Sequence, residues 1–316
     1  MKGKISFHIK NRQIAFKLVL ERNITILTGY SGTGKTKLIN MVRSYSREGS
    51  ASGITLRCDK PCIVLDDNWD IILERTHNSV VFVDESTRFL SDHAFAKAIS
   101  DTDNYYVFIT REPLQQIPYS IDAVKQIVKN GSKPKIEKVY NDISVKDISG
   151  FPYDLVIVED SKTGFQFFSK AAGKWKVRCE TADGKSNIIS VLKRCRESRV
   201  LVIADAAALG SEIQELMRFK SMSEKRIDLF LPESFEWLIL KSAVFSGNMN
   251  VRAILNDPAE YIESREYFSW ERFFTALLVS ESRNREKLRY PKGKSRLPSG
   301  YLTDTNMDSI LNAMKE

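Results

Sequence analysis

Lys35 and Thr36 close an eight-residue segment, Gly29-Tyr30-Ser31-Gly32-Thr33-Gly34-Lys35-Thr36, of the form G-x-x-x-x-G-K-[ST]. Such a loop wraps phosphates. Gly29, Gly32 and Gly34 let the backbone turn its N–H groups inward, at the positive end of the helix that follows. Lys35 would reach the β- and γ-phosphates, and the Thr36 hydroxyl would bind Mg²⁺. Tyr30, Ser31, Thr33 and Lys37 complete the candidate ligand-binding stretch. The implied ligand is a nucleoside triphosphate, ATP, with Mg²⁺ as cofactor. The flanks fit. Ile24 to Thr28 is a β-branched run that predicts a strand, and Lys37 to Val42 has apolar residues at helical spacing.

A second cluster lies downstream. Val80-Val81-Phe82-Val83 is an apolar run that ends in Asp84-Glu85, the form of a buried parallel strand. It resembles a Walker B strand. Asp84 would hold the Mg²⁺, and Glu85 would polarise the attacking water. A third run, Tyr105 to Ile109, ends in Thr110-Arg111, candidate γ-phosphate sensors. Pro61 to Leu65 predicts a further strand between the loop and Asp84. With Glu85 after the Walker B Asp, that strand makes the first half resemble the additional-strand, catalytic-glutamate class of P-loop ATPases. No LSGGQ-like signature lies between Thr36 and Asp84, and the interval is too short for a signature subdomain. Some other device must complete the site, or it is a slow switch.

Other elements must position these groups. Lys4–Lys10 and Ile14–Leu20 alternate in polarity around a polar turn and predict a hairpin. Trp69 to Arg75 predicts a helix, as does Ser91 to Ser100 with Ser91 as its cap. Ile121 to Val128 predicts another. Pro113, Pro118, Gly131, Pro134, Gly150 and Pro152 then punctuate a polar stretch, which sets a domain boundary near residues 130 to 150. A P-loop ATPase domain over 1–140 and a second domain over 150–316 follow.

The chain has 316 residues, 42% hydrophobic and 28% charged, enough apolar material for two cores. No apolar run approaches the roughly 18 residues that span a bilayer, and the N-terminal alternation reads as a strand rather than a secretion signal. Cys58, Cys62, Cys179 and Cys195 are scattered, and only His8, His77 and His93 accompany them. Reduced thiols in a cytoplasmic protein are expected, without a zinc site. The formal charge is +8. Arg283, Arg285, Lys287, Arg289, Lys292, Lys294 and Arg296 crowd one segment around Tyr290. This segment is either a DNA- or RNA-phosphate contact or a solvated loop.

In the second half, Val156-Ile157-Val158 ends in Glu159, and Val200 to Ala204 ends in Asp205. Between them, Gly184-Lys185-Ser186-Asn187 leads into a helix over Ile188 to Arg194. These pieces resemble the Toprim fold, in which a Glu after one strand and a D-x-D-x-x-G after a later one gather Mg²⁺ for phosphodiester chemistry. Glu159 matches the Glu, Asp205 the first Asp and Gly210 the Gly. Ala207 stands where the second Asp is expected, which leaves either a single-metal site or an inert one. Asp160, Glu212, Glu233 and Glu236 are nearby acids that could substitute, although Ser234 also reads as the cap of a helix carrying Glu236. Phe268 to Leu278 is aromatic-rich at helical spacing and predicts a core or interface helix.

The expected class is therefore α/β: a P-loop NTPase parallel sheet, then a Toprim-like α/β domain with a helical C-terminal part. The plan resembles a reduced member of the overcoming-lysogenization-defect family of ATPase/nucleases, which implies phage defence or mobile-element biology. The resemblance implies an ATP hydrolase that controls nucleic-acid processing. The alternative is a nucleotide-gated regulator whose degenerate second domain binds a partner. A homo-oligomer or a partner protein is expected in either case.

Overall fold

A computed structural model describes residues 1–130, 133–145, 151–245 and 247–315. Gly131 and Gly150, two of the markers of a domain boundary, lie outside the described residues, as does most of the stretch just before residue 151. The fold is α/β with parallel sheets and several helices. The chain divides into two compact units. One comprises Met1–Asn141 with Asp257–Ser269, and the other Asp142–Asn256 with Trp270–Glu316.

The first unit opens with the expected hairpin, β1 (Ile5–Lys10) and β2 (Ala15–Leu20), followed by β3 (Ile24–Thr28) and helix α1 (Lys35–Glu48). Next come β4 (Thr55–Arg57), β5 (Cys62–Leu65), α2 (Trp69–Glu74), β6 (Val80–Asp84), α3 (His93–Ser100), β7 (Tyr105–Ile109), β8 (Val124–Asn130) and β9 (Lys133–Lys138). β4 joins the hairpin in a small sheet of order β2-β1-β4. The main sheet has the order β5-β6-β7-β3-β8-β9, parallel except for the last pair.

Both faces of the main sheet are covered, so its central strands are apolar throughout. Alternate residues feed two separate cores. Leu27, Phe82, Val107 and Ile109 pack with Phe7, Leu38, Ile39 and Val42 on one face. Ile24, Ile26, Val81, Val83 and Phe108 pack with Phe95 and Ile99 on the other. The period-2 alternation of side chains makes this division unavoidable. Each fully buried side chain of the size of Phe82 contributes about 1.5–3 kcal/mol. The segment Asp257–Ser269 is tied to this unit by Asn23 Nδ2, which donates to Phe268 O at 2.8 Å, and by Lys4, paired with Asp257 at 3.0 Å.

Two local expectations are corrected. Ile121–Ala123 forms only a single 3-10 turn, and the residues from Val124 onward form β8 rather than a helix. The apolar positions fit either period over so short a run, and pairing with β3 on one side and β9 on the other decides the matter. The helix expected from Ser91 begins at His93. Its cap is Asp92, whose side chain accepts from Ala94 N, while Arg88–Ser91 form a 3-10 turn.

The second unit contains β10 (Leu155–Val158), α4 (Thr163–Trp175), β11 (Arg178–Thr181), α5 (Ile188–Arg194), β12 (Arg199–Ile203), α6 (Ile213–Met222), β13 (Arg226–Phe230) and α7 (Phe235–Lys241). Helices α8 (Met249–Asn256), α9 (Trp270–Glu281) and α10 (Asp304–Asn312) follow. The sheet is all parallel, in the order β11-β10-β12-β13. The chain crosses from β11 to β12 over β10, so the order reverses beside the carboxyl ends of β10 and β12. Ligands of open α/β sheets gather at such a reversal. Among the described residues no helix is long and apolar enough to cross a membrane.

Candidate functional sites

In the first unit, strand register aligns the residues singled out by the sequence. Leu27 pairs with Ile109, and Ile109 pairs with Asp84. Thr28, Thr110 and Glu85 are each one residue further on, so three adjacent strands deliver their polar ends to one edge. The Gly29–Thr36 loop leaves the same edge and enters α1. Gly29, Gly32 and Gly34 all have positive φ. Gly29 is the most tightly enclosed of them, since a Cβ there would sit 2.9 Å from Thr33 Oγ1 and 3.0 Å from Ile127 O. At Gly34 φ is +109° and a Cβ would sit 3.2 Å from the Phe16 ring, so no other residue fits there without strain.

Lys35 is buried, and its ammonium donates to Gly29 O and, at 3.3 Å, to Tyr30 O. Burial lowers its pKa, Arg111 adds to the effect and Glu85 opposes it. Lys35, Glu85 and Arg111 thus share one electrostatic neighbourhood. Arg111 holds Glu85 directly: its backbone N–H donates to Glu85 Oε2 at 3.2 Å, and its Nε lies 3.8 Å from Oε1. Thr110 is buried, and its hydroxyl closes a local turn with Glu112, accepting from N and donating to O at 3.0 Å each. Asp84 Oδ1 accepts from Ser86 N at 3.4 Å. Thr36 and Ser31 are exposed, and Tyr30 is 85% exposed. Thr33 is folded onto the loop, with its hydroxyl donating to Tyr30 O. Lys37 is turned away from the loop, and its ammonium bonds Gln13 Oε1 at 3.0 Å.

In the second unit, Val158, Ile203 and Phe230 are in register at the carboxyl ends of adjacent strands. Glu159 follows the first, and Asp205 lies two residues beyond the second. Asp205 Oδ1 accepts from Phe235 N, which ties it to the start of α7. Ser234 caps that helix by accepting from Trp237 N, as its position implies, yet Glu236 is also turned inward and only 1% exposed. Ala207 is buried where a second acid is expected.

The remaining acids divide by partner. Asp160 accepts from the N–H groups of Lys162, Gly164 and Phe165 and so serves the first turn of α4. Glu212 pairs with Lys185 at 3.1 Å. Lys185 also donates to Ala208 O and Ser211 Oγ, both at 2.9 Å, which fastens the Gly184–Asn187 turn to the segment after Asp205.

Three residues important here were not singled out as site residues. Lys294, read as part of a basic segment, is turned inward and bridges Glu236 at 3.1 Å and Glu271 at 2.7 Å. Glu271 comes from α9, whose aromatic run reads as core. Tyr290 is buried too. Its hydroxyl donates to Glu236 Oε1 and meets Thr163 Oγ1, both at 2.7 Å. Glu236 Oε2 is buried without a hydrogen-bond partner. Arg285 lies 4.6 Å from the Phe245 ring centroid and donates to Val244 O. Arg283, Lys287, Arg289, Lys292 and Arg296 remain exposed, as does Arg285 in part.

These carboxylates outnumber their cations. Burial pushes Glu159 up to about 7, with Glu271 and Asp160 adding to it. Burial also raises Asp205 well above the carboxylate range, reinforced by Glu271, Glu236 and Glu159. For Lys294 burial works downward, but Glu236, Glu271 and Asp205 outweigh it and its pKa is raised. Among the described residues no three carboxylate, imidazole or thiol groups converge closely enough to hold a metal ion. Glu159 and Asp205 lie at the same carboxyl edge of the sheet. No protein-family model matches this chain, and no curated protein matches it in sequence.

A carboxyl whose folded pKa is raised, here from 4.5 to about 7, stabilises the fold below its unfolded pKa. That contribution is lost as pH rises through the folded value. Stability of the second unit is therefore expected to fall by about 1–3 kcal/mol between about pH 5 and 8. Melting temperature against pH reads this out, and Glu159→Gln should flatten the slope. Identical slopes in the two proteins would remove Glu159 as its source.

Lys294→Met removes the one ammonium that Glu236 and Glu271 share and leaves Glu236 only the Tyr290 hydroxyl. A loss of about 2–4 kcal/mol is expected in urea denaturation. That range is tempered by the 20% and 30% side-chain exposure of Lys294 and Glu271. Adding Glu236→Gln should recover part of the loss. No recovery would mean that packing, not charge, sets the cost.

Proposed function

We propose that this chain is an ATP-binding protein, an ATPase of the P-loop type whose first unit controls a Toprim-like nucleic-acid-processing second unit. One observation carries the nucleotide part. The Gly29–Thr36 loop, Asp84, Glu85, Thr110 and Arg111 all leave neighbouring parallel strands at one edge. A loop and four further residues named for one chemistry, from three separated stretches of sequence, share that edge.

The mechanism follows from the side chains. Loop N–H groups and the start of α1 supply positive potential for the triphosphate. Lys35, now satisfied by two loop carbonyls, exchanges them for β- and γ-phosphate oxygens. The glycine cradle and the neighbouring hydroxyl and carboxylate fit a hard cation, with Thr36 and Asp84 as the residues that would hold Mg²⁺. Held by these residues, Mg²⁺ would supply charge neutralisation for the phosphates. Glu85 orients the attacking water and accepts its proton. Arg111 sets the position of Glu85 through its backbone N–H and would supply positive charge toward the γ-phosphate.

For the second unit, Glu159 and Asp205 at a topological reversal, together with exposed arginines and lysines from Arg283 to Arg296, support a site for DNA or RNA phosphates. A second reading is a nucleotide-gated regulator whose second unit binds a partner without cutting nucleic acid. Ala207 and the inward Lys294 favour it, since a fixed ammonium already serves two of the carboxylates. A cytoplasmic setting, and antiviral defence or mobile-element biology with a homo-oligomer or protein partner, belong to either reading.

Lys35→Ala is expected to abolish ATP binding. Glu85→Gln should bind ATP and hydrolyse it slower by on the order of 10²-fold or more. Calorimetry and phosphate release measure the two effects. Unchanged binding in Lys35→Ala would overturn the nucleotide site, and wild-type turnover in Glu85→Gln would remove Glu85 as the base.

Nucleic-acid binding is expected to weaken steeply with salt. Neutralising Arg283, Lys287 and Arg289 together should flatten the log K against log salt slope by about 2–3 units for duplex DNA. A slope insensitive to all three would leave the segment as solvated surface.

A further inference from the structure

The small sheet β2-β1-β4 has two unlike faces. Its inner face is apolar: Phe7, Ile9, Phe16 and Leu18 are buried with Leu38 and Val42 of α1, and Leu56 packs against them. Its outer face is cationic. Register carries one row straight across the three strands, with Lys17 opposite His8 and His8 opposite Arg57. The next row is Ala15, Lys10 and Thr55, and Ser6 opposite Val19 completes the face. Lys10, Lys17 and Arg57 are exposed, and His8 is half-buried between two of them. None of these positions holds an aspartate or a glutamate.

Such a face costs stability, because like charges directly opposite each other in a sheet repel. Elsewhere in this unit basic side chains find acids: Lys4 meets Asp257 at 3.0 Å, Arg43 meets Asp66 at 3.1 Å and Lys138 meets Asp122 at 3.2 Å. Among the described residues Lys10, Lys17 and Arg57 find none. The imidazole of His8 registers the crowding. Burial lowers its pKa, and Lys17, Lys10 and Arg57 lower it further. Past β2 the face continues into a groove of about 380 Å³, whose far wall carries Lys125 and Lys138. Lys125 fastens that wall to β2 by donating to Val19 O at 2.6 Å. The acids there are already engaged, Glu137 by Lys135 at 3.3 Å and Asp122 by Lys138.

We propose that the outer face of β2-β1-β4 is a docking surface for the backbone of duplex DNA. Closely spaced phosphates supply the negative charge that the face lacks, and each ammonium or guanidinium that meets one releases a counterion. The other polyanions fit less well. Unpaired bases stack on aromatic side chains, and the face carries no Phe, Tyr or Trp. A membrane surface rewards apolar residues sunk below its headgroups, and Val19, 44% exposed, is the one large apolar side chain here. Phosphate contacts of this kind position a duplex without reading its sequence. The surface belongs to the first unit and is separate from the segment Arg283 to Arg296, so it adds to the proposed nucleic-acid role, and either contact can fail without the other.

Fluorescence anisotropy of a labelled DNA duplex, titrated with the full-length protein across a salt series, tests this. Lys10→Gln, Lys17→Gln and Arg57→Gln combined should flatten the slope of log K against log salt by about 2–3 units. The three side chains are exposed and mutually repelling, so this variant should melt no lower than the wild type. The charge-preserving set Lys10→Arg, Lys17→Arg and Arg57→Lys should keep the wild-type slope. The same flattening should appear when Arg283, Lys287 and Arg289 are already neutralised, which separates this face from that segment. A second readout is local. Followed by NMR, the His8 imidazole should titrate at higher pH with the duplex bound, because phosphates offset the neighbouring cations. A wild type that does not bind the duplex, a slope unchanged in the Gln variant, or a His8 titration that ignores bound DNA would each overturn the proposal. So would single-stranded DNA, duplex RNA, polyglutamate or phosphatidylserine vesicles that bind more tightly than the duplex and lose that advantage in the Gln variant, since the face would then serve another occupant.

Discussion

Hydrogen-bond register between parallel strands is the constraint on which the rest of this structure depends. A slip of one residue between β6 and β7 would turn Asp84 to the other face and break the row Leu27, Ile109, Asp84. Register is held because both faces of the sheet are buried in different cores, so a slip would exchange all the side chains of a strand between them. The chemistry at the edge is thus fixed by apolar packing well below it. The Gly29–Thr36 loop can hold Gly34 in a conformation that suits only glycine because β3 and α1, on either side, are anchored in the cores.

The second unit applies the same rule and adds a charge problem. Its strands bring Glu159 and Asp205 to one edge, and α7 and α9 add Glu236 and Glu271. Taking charges out of water is costly unless they are paired. The chain answers with Lys294, which reaches two of the four carboxylates, and with Tyr290, which binds one of those two again. The answer is incomplete. Glu236 Oε2 has no partner, and Glu159 and Asp205 are pushed toward holding protons. A pocket short of positive charge can be relieved by protons, by a cation or by a ligand that donates hydrogen bonds. The proposed phosphodiester chemistry and the proposed regulator differ in which of these relieves it.

Much of the fold was legible because its signals are local. The loop, its flanking strand and helix, and the strand ends at Asp84, Thr110, Glu159 and Asp205 each occupy a few consecutive residues. The failures are non-local. Glu236, Glu271 and Lys294 meet from three separate stretches, and no spacing rule joins them. Lys294 looked like its basic neighbours because nothing in the sequence says which of seven cations turns inward. β8 looked helical because its apolar spacing is ambiguous, and only its neighbours in the sheet resolve it. Gly300 gave no sign at all, yet a Cβ there would fall 2.3 Å from Lys287 O.

That close approach explains how a segment rich in like charge can be ordered. Arg285 is spent on Phe245 and Val244 O, Lys294 on two carboxylates, and Tyr301 donates to Leu288 O at 2.7 Å. With the backbone at Gly300 packed against Lys287, these contacts hold the segment at its middle and its ends. The remaining cations project outward from a fixed frame rather than from a loose chain. An ordered set of charges loses less entropy on meeting a phosphate backbone than a mobile one does. The inward Lys294 therefore serves the outward cations: by pairing with Glu236 and Glu271 it anchors the strip that presents them.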